Sequence, residues 1–237
     1  MKKHITQKKF KTYRFVVWAI NLLLLTSSFV SNSIAQTNTE KTIRLAIKKN
    51  NSANKLSLEQ YQNDLQEIEK FLNNITNLTA TFTQKTSDSI VEGKFYLSRN
   101  KESAGKMRIE YSSNPKIVIV VNGAVLSYHD VELDEISRLS TNTTPASFLT
   151  RPNISFQSKD IEITNIAKDE NEIRISLLKK NRKEAGEFSL IFKTSPLEFI
   201  RMEVKNELDQ IISVSLKNID FNSTIPNKYF VIKDNSF

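Results

Sequence analysis

The sequence predicts an α+β fold in which one long amphipathic helix lies on a large antiparallel sheet, curved around an apolar concave face. Three observations predict it. A helical period runs through residues 58–75, a chain of period-2 segments separated by turn residues follows it, and no second long helical period appears.

The helix comes first. Ser57 with Gln60 three residues later is a capping-box pattern. Leu58, Tyr61, Leu65, Ile68, Leu72 and Ile75 then recur at alternating spacings of three and four, which places them on one face. Gln62, Asp64, Glu67, Glu69 and Lys70 take the opposite face. Such a helix needs an apolar surface to lie on, and the next segments supply it. Leu78, Ala80 and Phe82 alternate with Thr79, Thr81 and Thr83. Gly93, Phe95 and Leu97 alternate with Lys94, Tyr96 and Ser98, and Met107, Ile109 and Tyr111 with Lys106, Arg108 and Glu110. Ile117 to Val121 is continuously apolar, as a strand covered on both faces would be, and Asn122-Gly123 is a hairpin signal before Val125 to Tyr128. Further strands are expected at Ile161 to Ile166, Ile173 to Leu178, Phe188 to Phe192, Phe199 to Lys205, Ile211 to Leu216 and Phe230 to Ile232. Arg201, Glu203 and Lys205 alternate there with Ile200, Met202 and Val204. About ten strands at hairpin spacing, with a short interruption at Pro145 to Leu149, make a sheet too wide to stay flat.

Composition removes several function classes. The chain has 237 residues, no cysteine, two histidines and four glycines. Without cysteine there is no disulfide scaffold, thiolate nucleophile, thiolate metal site or lipid-modified cysteine. His4 and His129 alone do not make a His-based metal centre. The scattered glycines form neither a dinucleotide fingerprint nor a phosphate loop, so no cofactor is expected.

The net charge of +8 has a location. Lys2, Lys3, Lys8, Lys9, Lys11 and Arg14 precede an apolar run from Phe15 to Val30 and a polar stretch ending Ser33-Ile34-Ala35. Residues 1–35 therefore read as an export signal cleaved before Gln36, the alternative being an uncleaved anchor of near-minimal spanning length. Removing them leaves 28 basic and 26 acidic residues. A nucleic-acid partner is not expected, because the basic excess leaves with the signal and no basic stripe remains. Residues 36–55 read as a polar linker and 56–237 as the folded domain, which carries a net −2.

Arg99 is the side chain in an unexpected place, continuing the inward register of Phe95 and Leu97. It is either a rim residue just past the end of the strand or a guanidinium at the mouth of an apolar cavity, donating to the carbonyls of a covering segment. His129 beside Asp130 lacks a nucleophile elbow and reads as loop chemistry. Asp130, Glu132, Asp134 and Glu135 lack the spacing of a calcium loop and read as a solvated turn. The sequon Asn74-Ile75-Thr76 is discounted because it lies on the helix.

The region from Phe82 to Tyr128 resembles the periplasmic outer-membrane lipoprotein carrier family, LolA. Phe82-Thr83-Gln84 matches the family's F-x-Q strand, and Gly93 to Arg99 its G-x-F-x-L-x-R-P strand. Arg108 to Tyr111, then Pro115 one residue later than the pattern places it, resembles R-W-E-Y-x-x-P, and Ile119 to Leu126 matches I-V-S-D-G-x-x-L. Thr144-Pro145 with Phe148-Leu149 is similar to the short lid helix, and Phe230-Val231-Ile232 to the last strand. The sequence departs from the pattern at Asn100, where the family has proline, and at an insertion over Lys101 to Ala104.

The resemblance implies an incomplete β-barrel with a helical lid and no catalytic residues or metal. It implies a monomeric periplasmic chaperone that takes acylated lipoproteins from an inner-membrane ABC transporter and passes them to an outer-membrane receptor lipoprotein. Arg99 would be the lid latch, with Leu149 opposite it. Phe82, Phe95, Leu97, Met107, Ile109, Tyr111, Ile119 and Phe148 would contact the acyl chains, unless they are ordinary core. At about 0.8 kcal/mol per methylene, three chains of about sixteen carbons would cost on the order of 35 kcal/mol to expose to water, so a carrier must enclose much of them. Two other readings stand beside this one: a lipid- or lipoprotein-sensing module on the same scaffold, and a lipid hydrolase, for which the sequence offers no nucleophile and base.

Overall fold

The computed structural model describes residues 59–232 apart from 114, 145, 182–185 and 207. The signal, the linker and the expected cap at Ser57 lie outside the described residues. Helix α1 spans Gln62–Asn74, with Tyr61 at its start making no side-chain cap. Leu65, Ile68 and Leu72 of the predicted stripe are buried in it, and Ile75 is buried just beyond its end. Asn74 is its last residue, so the sequon straddles the helix terminus instead of lying within the helix. Phe71 adds a flank to the stripe by meeting Phe192 and Phe221 edge-on, with centroids 6.2 and 6.1 Å apart.

The sheet has eleven strands: β1 (Asn77–Lys85), β2 (Ile90–Ser98), β3 (Lys106–Tyr111), β4 (Ile117–Asn122), β5 (Val125–Asp130), β6 (Glu135–Ser140), β7 (Ile161–Lys168), β8 (Glu172–Lys179), β9 (Glu187–Thr194), β10 (Leu197–Lys205) and β11 (Ile211–Asp220). The order is β6-β5-β4-β3-β2-β1-β11-β10-β9-β8-β7, with every neighbouring pair antiparallel. Only the β1–β11 pairing joins strands that are not consecutive in the chain, so the sheet is two hairpin meanders sewn together at the middle. β6 and β7 do not pair with each other, which leaves the barrel incomplete. Register shifts in β1/β11, β9/β10 and β7/β8 add the local bends that a curved sheet needs.

The period-2 pattern sorts the faces as expected. Ala80 and Phe82 on β1, Phe95 and Leu97 on β2, and Met107 and Ile109 on β3 join one buried cluster with Leu65, Ile68 and Leu72 of α1. The bulge between Phe199 and Arg201 corrects one expectation. It puts Phe199 inside together with Met202 and Val204, where strict alternation would have chosen Ile200. Arg201 and Glu203 stay on the other face, in ion pairs with Glu172 and Arg174.

Two expectations fail for identifiable reasons. Glu135 was read as part of an acidic solvated turn and no strand was expected over the rest of β6, yet all six of its residues pair with β5. It is an edge strand and none of its side chains is fully buried, so ladder hydrogen bonds form it without leaving an apolar period in the sequence. Conversely, Phe230 to Ile232 is not a strand. Residues Asn227–Phe230 form a 3-10 turn with Phe230 buried, tied to the outer side of the sheet by Arg108 donating to the Tyr229 carbonyl (2.9 Å) and Asn122 to that of Phe230 (3.2 Å). A three-residue apolar run cannot distinguish a strand from a single buried anchor.

Candidate functional site

The open side of the sheet is covered by the segment between β6 and β7. It begins with a 3-10 turn at Thr141–Thr143, forms the single-turn helix α2 (Ala146–Leu149) and continues without helix or strand to Phe156. Phe148, Leu149, Ile154 and Phe156 are buried in the same cluster as the inward strand residues. The Phe148 ring stacks on Phe156 with centroids 5.7 Å apart and meets Phe188 of β9 at 6.5 Å, while the Arg151 guanidinium lies over the ring, 5.3 Å from its centroid. The void beside Phe148 is about 30 Å³, room for little more than one water. Around Phe148 the lid is therefore shut and its own side chains occupy the concave face, while a cleft of about 490 Å³ lies at its far end between α1 and β7, lined by Leu65, Glu69, Phe156, Ile161 and Ile163.

Polar contacts hold it there. Arg99 lies immediately after β2, and its backbone N–H donates to the Thr76 carbonyl at 2.7 Å, which extends the inward register by one residue. Its side chain is only 7% exposed. Nη2 donates to the Arg151 carbonyl at 2.7 Å and to Asn73 Oδ1 at 3.3 Å, Nε reaches the same Arg151 carbonyl at 3.2 Å, and Nη1 donates to the Leu72 carbonyl. One guanidinium thus ties α1, the lid and β2 together, which suits its rigid fork of donors. The Leu72 carbonyl already accepts the Ile75 N–H at the end of α1 (3.3 Å), so Arg99 is its second donor, and a cation there complements the helix dipole. Burial pushes the Arg99 pKa down, and from so high a starting value the group stays charged. The Arg99 side chain is thus buried and donates to the covering segment instead of standing in water at the rim.

On the lid, the described hydrogen bonds of Arg99 go to Arg151 and Pro152, two and three residues beyond Leu149, which is buried in the apolar cluster. Sequence reasoning also missed two partners on α1. Asn73 makes a two-way bond with Ile154, donating from Nδ2 to its carbonyl and accepting its N–H at Oδ1, both at 2.8 Å. Glu69 Oε1 accepts the Phe156 N–H at 2.6 Å and the Ser155 hydroxyl at 3.2 Å. Glu69 had been placed on the solvent face, and helical periodicity cannot show that a loop returns to cover the flank of that face. The departure at Asn100 has a local solution: its Oδ1 accepts the backbone N–H groups of Glu102 and Ser103, turning the inserted loop by a side-chain cap where a proline would fix φ. The chain then reaches Gly105, whose N–H donates to the lid at the Thr150 carbonyl (2.7 Å).

These clasps imply a local effect. Asn73→Ala should cost about 2 kcal/mol of lid closure by leaving both backbone groups of Ile154 unpaired. Amide exchange at Ile154 and Phe156 should accelerate while the global denaturation midpoint moves little; equal protection in variant and wild type would show the clasp to be idle.

The eight expected acyl-contact residues all face the interior and share one cluster, seven on β1 to β4 and Phe148 on the lid. The other half of the surface, built by Ile175, Phe188, Leu190 and Phe192, was not singled out from the sequence. His129 pairs with Asp134 at 3.2 Å, and Asp130 is buried, its Oδ1 accepting the N–H groups of Glu132 and Leu133, so it organises a turn instead of being solvated. Among the described residues no cluster of His, Cys, Asp and Glu could hold a metal, and no helix is long and apolar enough to cross a membrane.

Against known families, the model described as outer membrane lipoprotein carrier protein LolA matches residues 73–233. The chain belongs to the LolA family. No curated protein matches it. Among solved structures, this LolA-family chain is similar to a putative outer membrane lipoprotein-sorting protein domain from Vibrio parahaemolyticus, at 7% identity and a TM-score of 0.47, covering 70% of this chain and 94% of that one. It is similar to a LolA superfamily protein from Nitrosomonas europaea at 12% identity and a TM-score of 0.40, covering 71% and 97%. It is also similar to a chain of the MucA/MucB complex of Pseudomonas aeruginosa at 10% identity and a TM-score of 0.40, covering 72% and 60%. The LolA scaffold is a lipid- or lipoprotein-binding carrier type, and here it carries its lid closed.

Proposed function

We propose that this chain is a periplasmic carrier that encloses the acyl chains of lipoproteins released from the inner membrane and delivers them to the outer membrane. The observation that carries the reading is an apolar concave face in a LolA-family chain, filled by lid side chains that a few polar contacts hold in place. Lid opening would expose Phe148, Leu149, Ile154 and Phe156, each worth about 2 kcal/mol of buried apolar surface. Incoming acyl chains would cover the vacated wall in their place. Loading then exchanges one set of non-directional contacts for another, so uptake and release both stay near balance. The partners on this reading are an inner-membrane ABC releasing complex and an outer-membrane receptor lipoprotein, and no residue has a chemical step to perform.

The test is to purify the exported chain from periplasm and identify what comes with it by mass spectrometry. Acylated lipoproteins in near-stoichiometric amounts are the expected result. Free phospholipid alone would replace the reading with a general lipid-binding role.

A further inference from the structure

The apolar face is interrupted by one polar group of side chains, far from Arg99. Gln84 near the end of β1, Tyr111 at the end of β3 and Tyr128 on β5 are all buried at inward positions. Gln84 lies seven residues along β1 from Asn77, the partner of Ser98, so about 23 Å separates this group from the latch. The Tyr111 hydroxyl donates to Gln84 Oε1 at 2.8 Å. The Tyr128 side chain is 5% exposed, and its hydroxyl has no partner among the described residues. A hydroxyl left unpaired in an apolar interior costs about 1–3 kcal/mol, so its retention calls for a reason. Tyr128 belongs to the same cluster as the inward residues of β1 to β4, so an occupant of the concave face meets it.

The surroundings select the kind of group that would pair with it. Burial first, then the neighbouring Asp130 and Tyr111, hold the Tyr128 hydroxyl well above its usual pKa, so it remains a donor. Asp130 already accepts two backbone N–H groups through Oδ1, and its negative charge disfavours an anionic ligand at the same spot. What remains is an uncharged acceptor. Beyond Asp130 the chain enters the exposed turn of Val131 and Leu133, so a polar headgroup attached to that acceptor has a short route to water.

We propose that the Tyr128 hydroxyl, beside the Tyr111–Gln84 pair, is a subsite for the ester carbonyl of an acyl chain lying in the concave face, selecting neutral esters over free carboxylates. The inference rests on the carrier reading and adds to it a place where the chain is held by its carbonyl. It is tested by displacement of a fluorescent apolar probe from the full chain with methyl hexadecanoate, hexadecanoate and hexadecyl methyl ether, the last having the same chain without the carbonyl. The wild type should prefer the ester to the ether about tenfold. Tyr128→Phe should abolish that preference with ether affinity unchanged, which also shows that the variant is folded. An ester-to-ether ratio that is the same in both proteins would mean that water alone serves the hydroxyl, and a wild-type preference for the carboxylate would contradict the role of Asp130; either overturns the subsite and leaves the carrier reading standing. Displacement by none of the three would overturn both.

Discussion

Arg99→Leu is expected to leave the sheet folded and to release the lid, shifting the balance of closed to open forms by about 3 kcal/mol, or roughly a hundredfold. The leucine keeps apolar bulk next to Leu97, but the carbonyls of Leu72 and Arg151 and the Oδ1 of Asn73 lose a charged donor. Leu72 and Asn73 keep the N–H groups of Ile75 and Ile154, but the Arg151 carbonyl loses its described donor and bears the desolvation cost, which the open form avoids by returning it to water. β2 itself should hold, because its ladders to β1 and β3 do not depend on the Arg99 side chain. Two measurements separate lid from fold: amide exchange over residues 148–156 should accelerate strongly, while exchange in β1 to β4 should stay slow. In the proposed function the variant would accept cargo and fail to retain or hand it on. If it moved lipoprotein from spheroplasts to the receptor at the wild-type rate, with the lid protected as before, Arg99 would be only a helix-end cap.

How much of this was legible in the sequence follows from the range of each interaction. The inward faces of β1 to β5 could be read because alternation is local and each strand repeats it, and α1 because its stripe meets a continuous apolar surface. Arg99 stood out for the same reason, as a charge in an apolar register. Its acceptors could not be read, since carbonyls of Leu72 and Arg151 leave no mark on side-chain identity and lie 27 and 52 residues away. Asn73 and Glu69 look like ordinary polar positions of an exposed helix flank until a segment more than 80 residues later in the chain covers them. β6 was missed and the Phe230 turn misread, at the two places where pairing or anchoring, and not alternation, decides the conformation. Tyr128 fell in the predicted strand, but a missing hydrogen-bond partner is a property of the fold alone.

Gly93→Ala should be the most damaging of the small substitutions, with a loss of about 3 kcal/mol or more in global stability. Gly93 pairs with Phe82 on one side and Tyr111 on the other, and Phe82 and Tyr111 meet edge to face across it with ring centroids 5.3 Å apart. The space a side chain would take is already filled: a Cβ would lie 2.6 Å from the Phe82 ring and closer still to the Glu110 carbonyl. A backbone atom in the middle of a ladder cannot step aside cheaply, so either the β2–β3 pairing yields or the aromatic pair separates. The damage would not stop at one strand. Phe82 and Tyr111 are both expected acyl-contact residues, and Tyr111 carries the hydrogen bond to Gln84, so pushing the rings apart also disturbs the polar group at that end of the cavity. Denaturant unfolding is the direct measurement, and a compensating variant sharpens it. Phe82→Leu in the Gly93→Ala background should recover part of the lost stability by removing the ring that the new methyl strikes. Additive losses in the double variant would show that the Glu110 carbonyl, and not the ring, sets the requirement for glycine.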